Sequence, residues 1–63
     1  MEDWQERVVQ EKKELDEKII KLKAMVCSDK FEALADTDQR LLVMQLSAMK
    51  QYASVLKARI ERF

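Results

Sequence analysis

The sequence predicts an all-α fold: an antiparallel helical hairpin, two long helices with a short helical connector, assembling into a homo-oligomeric helix bundle. Three observations predict it. Apolar residues recur at alternating threes and fours through both halves of the chain, the period of an α-helical stripe. There is no Gly and no Pro, so nothing breaks either run and no type I′ hairpin turn is available. At 63 residues the chain is one domain, at the small end of what folds alone.

The first helix is expected over about residues 2–27. Leu15, Ile19, Leu22 and Val26 show the 4-3-4 alternation of a seam, and Val8 and Trp4 extend it toward the start. Lys12 fills the one polar slot. Asp3 with Arg7, Glu14 with Lys18 and Glu17 with Lys21 stand at i,i+4 with the acid first, an order that adds about 0.2–0.5 kcal/mol per pair.

The connector spans about residues 28–36. Ser28 or Asp29 can cap a single turn running through Lys30, Phe31, Glu32, Ala33 and Leu34, because a short oxygen side chain accepts from the free N–H groups of that turn. Phe31 and Leu34 are expected to fold back as an apolar lid over the end of the hairpin. A recognition role for Phe31 is the alternative.

The second helix is expected over about residues 37–62. Leu42, Leu46, Met49, Ala53, Leu56, Ile60 and Phe63 run 4-3-4-3-4-3 without a miss. Asp36 is the expected N-cap, with Gln39 as its capping-box partner. Asp38 in the first turn and Arg59 and Arg62 in the last suit the helix macrodipole.

A short connector makes the helices antiparallel neighbours. With the turn centred near Phe31, Leu22 faces Leu42, Ile19 faces Leu46, Leu15 faces Met49, Val8 faces Leu56 and Trp4 faces Ile60. Lys12 falls beside Tyr52 and Ala53, where a small residue leaves room for its stem. Apolar residues remain off this seam: Leu41, Val43, Met44, Ala48 and Val55 on the second helix, and Val9, Ile20 and Met25 on the first. Left exposed they form a large apolar patch, which makes a homo-oligomer with the second helix at its centre the economical arrangement.

Composition excludes much chemistry. With no His there is no Ser-His triad and no His metal site. One Cys rules out an internal disulfide and a thiolate cluster. Glu14 with Glu17 and Asp36 with Asp38 read as solvated charge, Cys27 as a buried small hydrophobe, and Met25, Met44 and Met49 as core. No catalytic residue, metal or cofactor is expected, and the protein is not expected to be an enzyme. No apolar run approaches the ~20 residues of a membrane span, and the start Met-Glu-Asp-Trp is unlike a basic export signal. A soluble, cytoplasmic chain without a membrane partner is expected.

One asymmetry points to a ligand. Lys plus Arg number 12 and Asp plus Glu 12, so the chain is formally neutral. Between Gln39 and Ile60, however, there are four bases (Arg40, Lys50, Lys57 and Arg59) and no acid. Gln45, Tyr52 and Arg59 lie beside the seam at spacing seven. Tyr offers a stacking ring, and Arg a planar fork suited to phosphate. In an oligomer such groups can converge into an anion pocket. The ordinary alternative is a solvated flank.

Several stretches carry a resemblance: Trp4 to Val8, Glu11 to Lys18, Gln45 to Tyr52, then Val55-Leu56 and Arg59-Ile60. They resemble short phage-encoded helical-hairpin proteins related to one first catalogued in a crAss-like phage. More distantly, the second-helix pattern is similar to the hairpin of phage anti-CBASS and anti-Thoeris sponges. The resemblance implies an oligomer in the bacterial host cytoplasm that sequesters a cyclic nucleotide immune signal without cleaving it. It implies Lys50, Tyr52, Lys57 and Arg59 as candidate ligand-binding residues at chain interfaces. A small RNA-binding regulator of similar architecture is a competitor, though zero net charge argues against nucleic acid as partner. A helix-bundle module that takes a partner helix on its second apolar strip is another.

Overall fold

The computed structural model describes all 63 residues, Met1–Phe63. Three helices follow in order: α1, Asp3–Val26; α2, Asp29–Glu32; and α3, Asp36–Glu61. The long helices pack antiparallel into a rod of 46 × 14 × 13 Å. The expected hairpin is therefore present, with helix ends displaced by one residue from those the sequence suggests.

The inner seam is where its spacing places it. Val8, Leu15 and Ile19 of α1 are buried with Leu56 of α3, which is only 1% exposed. Leu46, Met49, Ala53 and Ile60 pack against this cluster half-buried. Only four side chains are buried in all, because two cylinders touch along one line and leave the rest of each surface wet.

The seam opens at the end away from the turn. Trp4, expected to face Ile60 within the seam, is 52% exposed. Its ring meets Phe63 edge to face, with centroids 5.1 Å apart and planes at 79°. No further layer covers this pair, so two large rings shield each other instead of entering a core.

Lys12 is half-buried and sends its ammonium back along α1 to Asp16 Oδ2 at 2.7 Å. This is the only ion pair within 4.0 Å. The three acid-first pairs expected on α1 are not made. Their long side chains are exposed, and the entropy of fixing two such chains offsets the small gain in water.

The direction reverses without a left-handed residue, for no residue has positive φ. Ser28 and Ala35 are extended, and one helical turn stands between them. Ser28 caps that turn as expected: its Oγ accepts from Phe31 N–H at 3.4 Å and donates to the Met25 carbonyl at 2.6 Å. Phe31 and Leu34 are half-buried, as suits a lid.

The start of α3 differs from expectation. Ala35, not Asp36, is its N-cap, and Asp36 is the first helical residue. Gln39 does not reach back as a capping-box partner. Its Nε2 donates to the carbonyls of Phe31, Glu32 and Leu34, at 3.0, 3.3 and 3.1 Å. The carbonyls lie at and just beyond the end of α2, where few intrahelical donors remain; that of Phe31 also accepts from Leu34 N–H at 3.1 Å. The capping box belongs to α1, where Glu2 N–H donates to Gln5 Oε1 at 2.8 Å.

Two further expectations are corrected here. Cys27 is exposed, because α1 ends at Val26 and the chain turns outward at its cap. Met44, read as core, is 60% exposed, whereas Met25 is half-buried beneath the Ser28 hydroxyl, in keeping with its core reading and not with an outer strip.

Candidate functional site

The helical period sorts the surface of α3 into stripes. At about 3.6 residues per turn, residues seven apart fall on nearly the same line. The inner seam points at α1. An outer stripe runs through Leu41, Met44, Ala48 and Val55 at spacings of three, four and seven. Leu41, Met44 and Val55 are 56%, 60% and 54% exposed. Val43, which the sequence grouped with them, stands on another flank, in line with Lys50 and Lys57.

That geometry divides the four candidate ligand-binding residues. Tyr52 and Arg59 share one flank, between the inner seam and the outer stripe. Lys50 and Lys57 share the flank on the other side of the seam. All four are exposed. Within one chain the two pairs therefore point apart, and no single pocket of the hairpin holds all four.

The cations are nonetheless free. No base of α3 lies within ion-pair distance of a carboxylate. The side chains of Lys50, Tyr52, Lys57 and Arg59 make no hydrogen bond within the chain, the few side-chain bonds of α3 being those of Gln39, Gln45 and Ser54. Arg59 alone among the four lines a recess. It opens at the free end of the hairpin, has a volume of about 320 Å³, and is walled by Trp4, Arg59, Arg62 and Phe63. Sequence reasoning assigned Trp4 and Phe63 to the seam and Arg62 to the helix dipole. The antiparallel pairing of Trp4 with Ile60 already brings these residues to one end; what it does not carry is that Trp4 and Phe63 stay exposed there and wall a recess with the two arginines.

A second recess, of about 430 Å³, lies at the turn and is walled by Phe31, Asp36, Gln39, Arg40 and Val43. Here Asp36 places a carboxylate beside Arg40, and the Gln39 amide is already engaged. This recess is less suited to an anion than the first.

No three of the Cys, Asp and Glu side chains are grouped closely enough to hold an ion. No helix is long and apolar enough to cross a membrane.

A family model described as Sequestin matches residues 2–62, nearly the whole chain and both long helices. The chain belongs to the Sequestin family. Neither the curated proteins nor the solved structures give a match. The Sequestin match takes in the outer stripe and three of the four residues that wall the free-end recess, Trp4, Arg59 and Arg62, and stops before Phe63.

Proposed function

We propose that the protein binds a small phosphate-bearing nucleotide, a cyclic signal of bacterial immunity, and holds it unchanged. Membership of the Sequestin family carries this reading, since the family's name speaks of sequestering. The surface chemistry supports it. Sequestration needs cations to meet phosphate and rings to stack a base, and no general base or metal. The stretch from Gln39 to Ile60 supplies four bases without an acid, and none of them is spent on an ion pair. The resemblance to short phage proteins and nucleotide sponges adds the setting: a phage product acting in the cytoplasm of the bacterial host.

Tyr52 and Arg59 are the leading ligand residues, with Lys50 and Lys57 acting from another copy. A homo-oligomer reconciles the two flanks. A second chain seated on the outer stripe lies next to Tyr52 and Arg59, and its own lysines can then approach them. The area of hydrophobic surface left on α3 favours such a partner, because contiguous apolar patches on small proteins mark interaction sites.

Calorimetry with a panel of cyclic di- and trinucleotides and cyclic ADP-ribose isomers tests the proposal. Binding is expected with at least one member, and the Tyr52→Ala, Arg59→Ala double variant should lose it while its mass in solution is unchanged. Absence of heat with every member would shift preference to an interaction module that takes a partner helix on the outer stripe.

A further inference from the structure

We propose that the recess at the free end of the hairpin, formed by Trp4, Arg59, Arg62 and Phe63, is a nucleotide subsite that clamps a base on its rings and a phosphate on its guanidinium groups. This deepens the sequestering function proposed above and rests on it.

The four residues bring together the two chemistries a nucleotide needs. Trp4 and Phe63 are in contact edge to face, yet they remain 52% and 37% exposed. An edge-to-face pair uses one face of one ring, so aromatic surface is left for a third ring to cover. Stacking of a base on such a side chain contributes about 1–3 kcal/mol and suits any base, because every base has a π-face. Arg59 in the last turn of α3 and Arg62 at its C-cap stand three residues apart, neighbours at that helix end. Each offers a planar fork that meets phosphate oxygens two at a time.

Neither guanidinium is satisfied within the chain. The only ion pair is Lys12 with Asp16, far along α1. Acids do stand nearby, with Glu61 between the two arginines in the sequence and Glu2, Asp3 and Glu6 in or beside the first turn of α1, but none lies within 4.0 Å of Arg59 or Arg62. Two bases on the last turn of α3 are favourable for that helix end alone. The paired, exposed rings beside them are not explained by helix stability, since a polar residue at either position would avoid wetting so much apolar surface.

Position fits the same ligand class. The recess is shallow and open to solvent, walled by four residues only, so a nucleotide unit would lie against its rings and guanidinium groups without being enclosed. Tyr52 lies two turns back along the flank of Arg59, roughly 10 Å away at 1.5 Å per residue. A ligand with two nucleotide units can place one base at the free end and reach Tyr52 with the other. The subsite is thus the inner half of a longer track along α3.

Trp4 is the only Trp of the chain, so its emission reports on this recess alone. The full-length protein would be titrated with cyclic di-AMP, cyclic GMP-AMP and cyclic ADP-ribose, following Trp4 fluorescence and heat in parallel. The expected result is saturable quenching with the calorimetric midpoint. Arg62→Ala should weaken binding at least tenfold with helicity by circular dichroism unchanged, and by calorimetry Trp4→Ala should weaken it more than Trp4→Phe, which keeps a ring. Heat without any change in Trp4 emission, together with wild-type affinity in Arg62→Ala, would overturn the subsite and leave sequestration standing. Neither heat nor quenching with any probe would overturn both.

Discussion

The inner and outer faces of α3 use similar apolar spacing and have opposite fates. On the inner face Leu56 is 1% exposed and Leu46, Met49, Ala53 and Ile60 close in around the same cluster. On the outer face Leu41, Met44 and Val55 are each more than half exposed. Helical periodicity tells which residues share a line, but burial depends on what stands opposite that line. For the inner seam α1 is opposite. For the outer stripe the hairpin offers nothing, and a second chain is the occupant proposed for it.

The largest test of this contrast is on the inner face. Leu56→Ala should cost about 2–5 kcal/mol, which for a domain of this size is a large part of the stability. Thermal or urea denaturation reads it directly, and Leu46→Ala, half-buried on the same seam, should cost less. Equal effects would mean that Leu56 is not the centre of the core.

Val55→Glu probes the outer face. Glu forms helix at least as well as Val, so the hairpin should keep its far-ultraviolet dichroism while any assembly dissociates. Light scattering should then fall to 7.5 kDa. If wild-type protein already has that mass at micromolar concentration, the outer stripe does not hold a second copy.

Much of this comparison was legible in the residues. The inner seam followed from its unbroken alternation, and Ser28 capping from the chemistry of its hydroxyl. What stayed hidden were contacts between groups distant in sequence. The pairing of Trp4 with Ile60 puts Trp4 and Arg62 at one end of the rod, but does not carry the exposure of Trp4 and Phe63 that makes a recess there. The rotation of Val43 away from Leu41 and Met44 was available from the helical period but masked by grouping residues on hydrophobicity. The ion pairs on α1 misled because spacing makes a pair possible without making it stable in water. Family membership narrowed function to sequestering, whereas the roles of Lys50, Tyr52, Lys57 and Arg59 rest on their chemistry and exposure.

Smaller effects belong to the turn and the surface. Gln39→Ala leaves the carbonyls of Phe31, Glu32 and Leu34 without their side-chain donor, and should cost roughly 0.5–1.5 kcal/mol. Hydrogen exchange should quicken first at the N–H groups of α2 and the start of α3. Lys12→Ala removes the one ion pair, half exposed at its Asp16 side, and should change stability by less than about 1 kcal/mol. A larger loss in chemical denaturation would show that the lysine stem, and not its charge, fills the seam beside Ala53.

The absence of Gly and Pro from a turn that still reverses the chain has a kinetic consequence. Ser28, the single turn of α2 and Ala35 make the reversal with ordinary right-handed and extended backbone. No X-Pro bond exists to isomerise, so the phase of tens of seconds that proline imposes on many chains is missing. Contacts in a helical hairpin are mostly local or across one short connection, a topology that folds in microseconds to milliseconds. Any slow step in reaching an assembled state is therefore the meeting of chains, whose rate rises with concentration. A burst of synthesis shortens it without help from an isomerase.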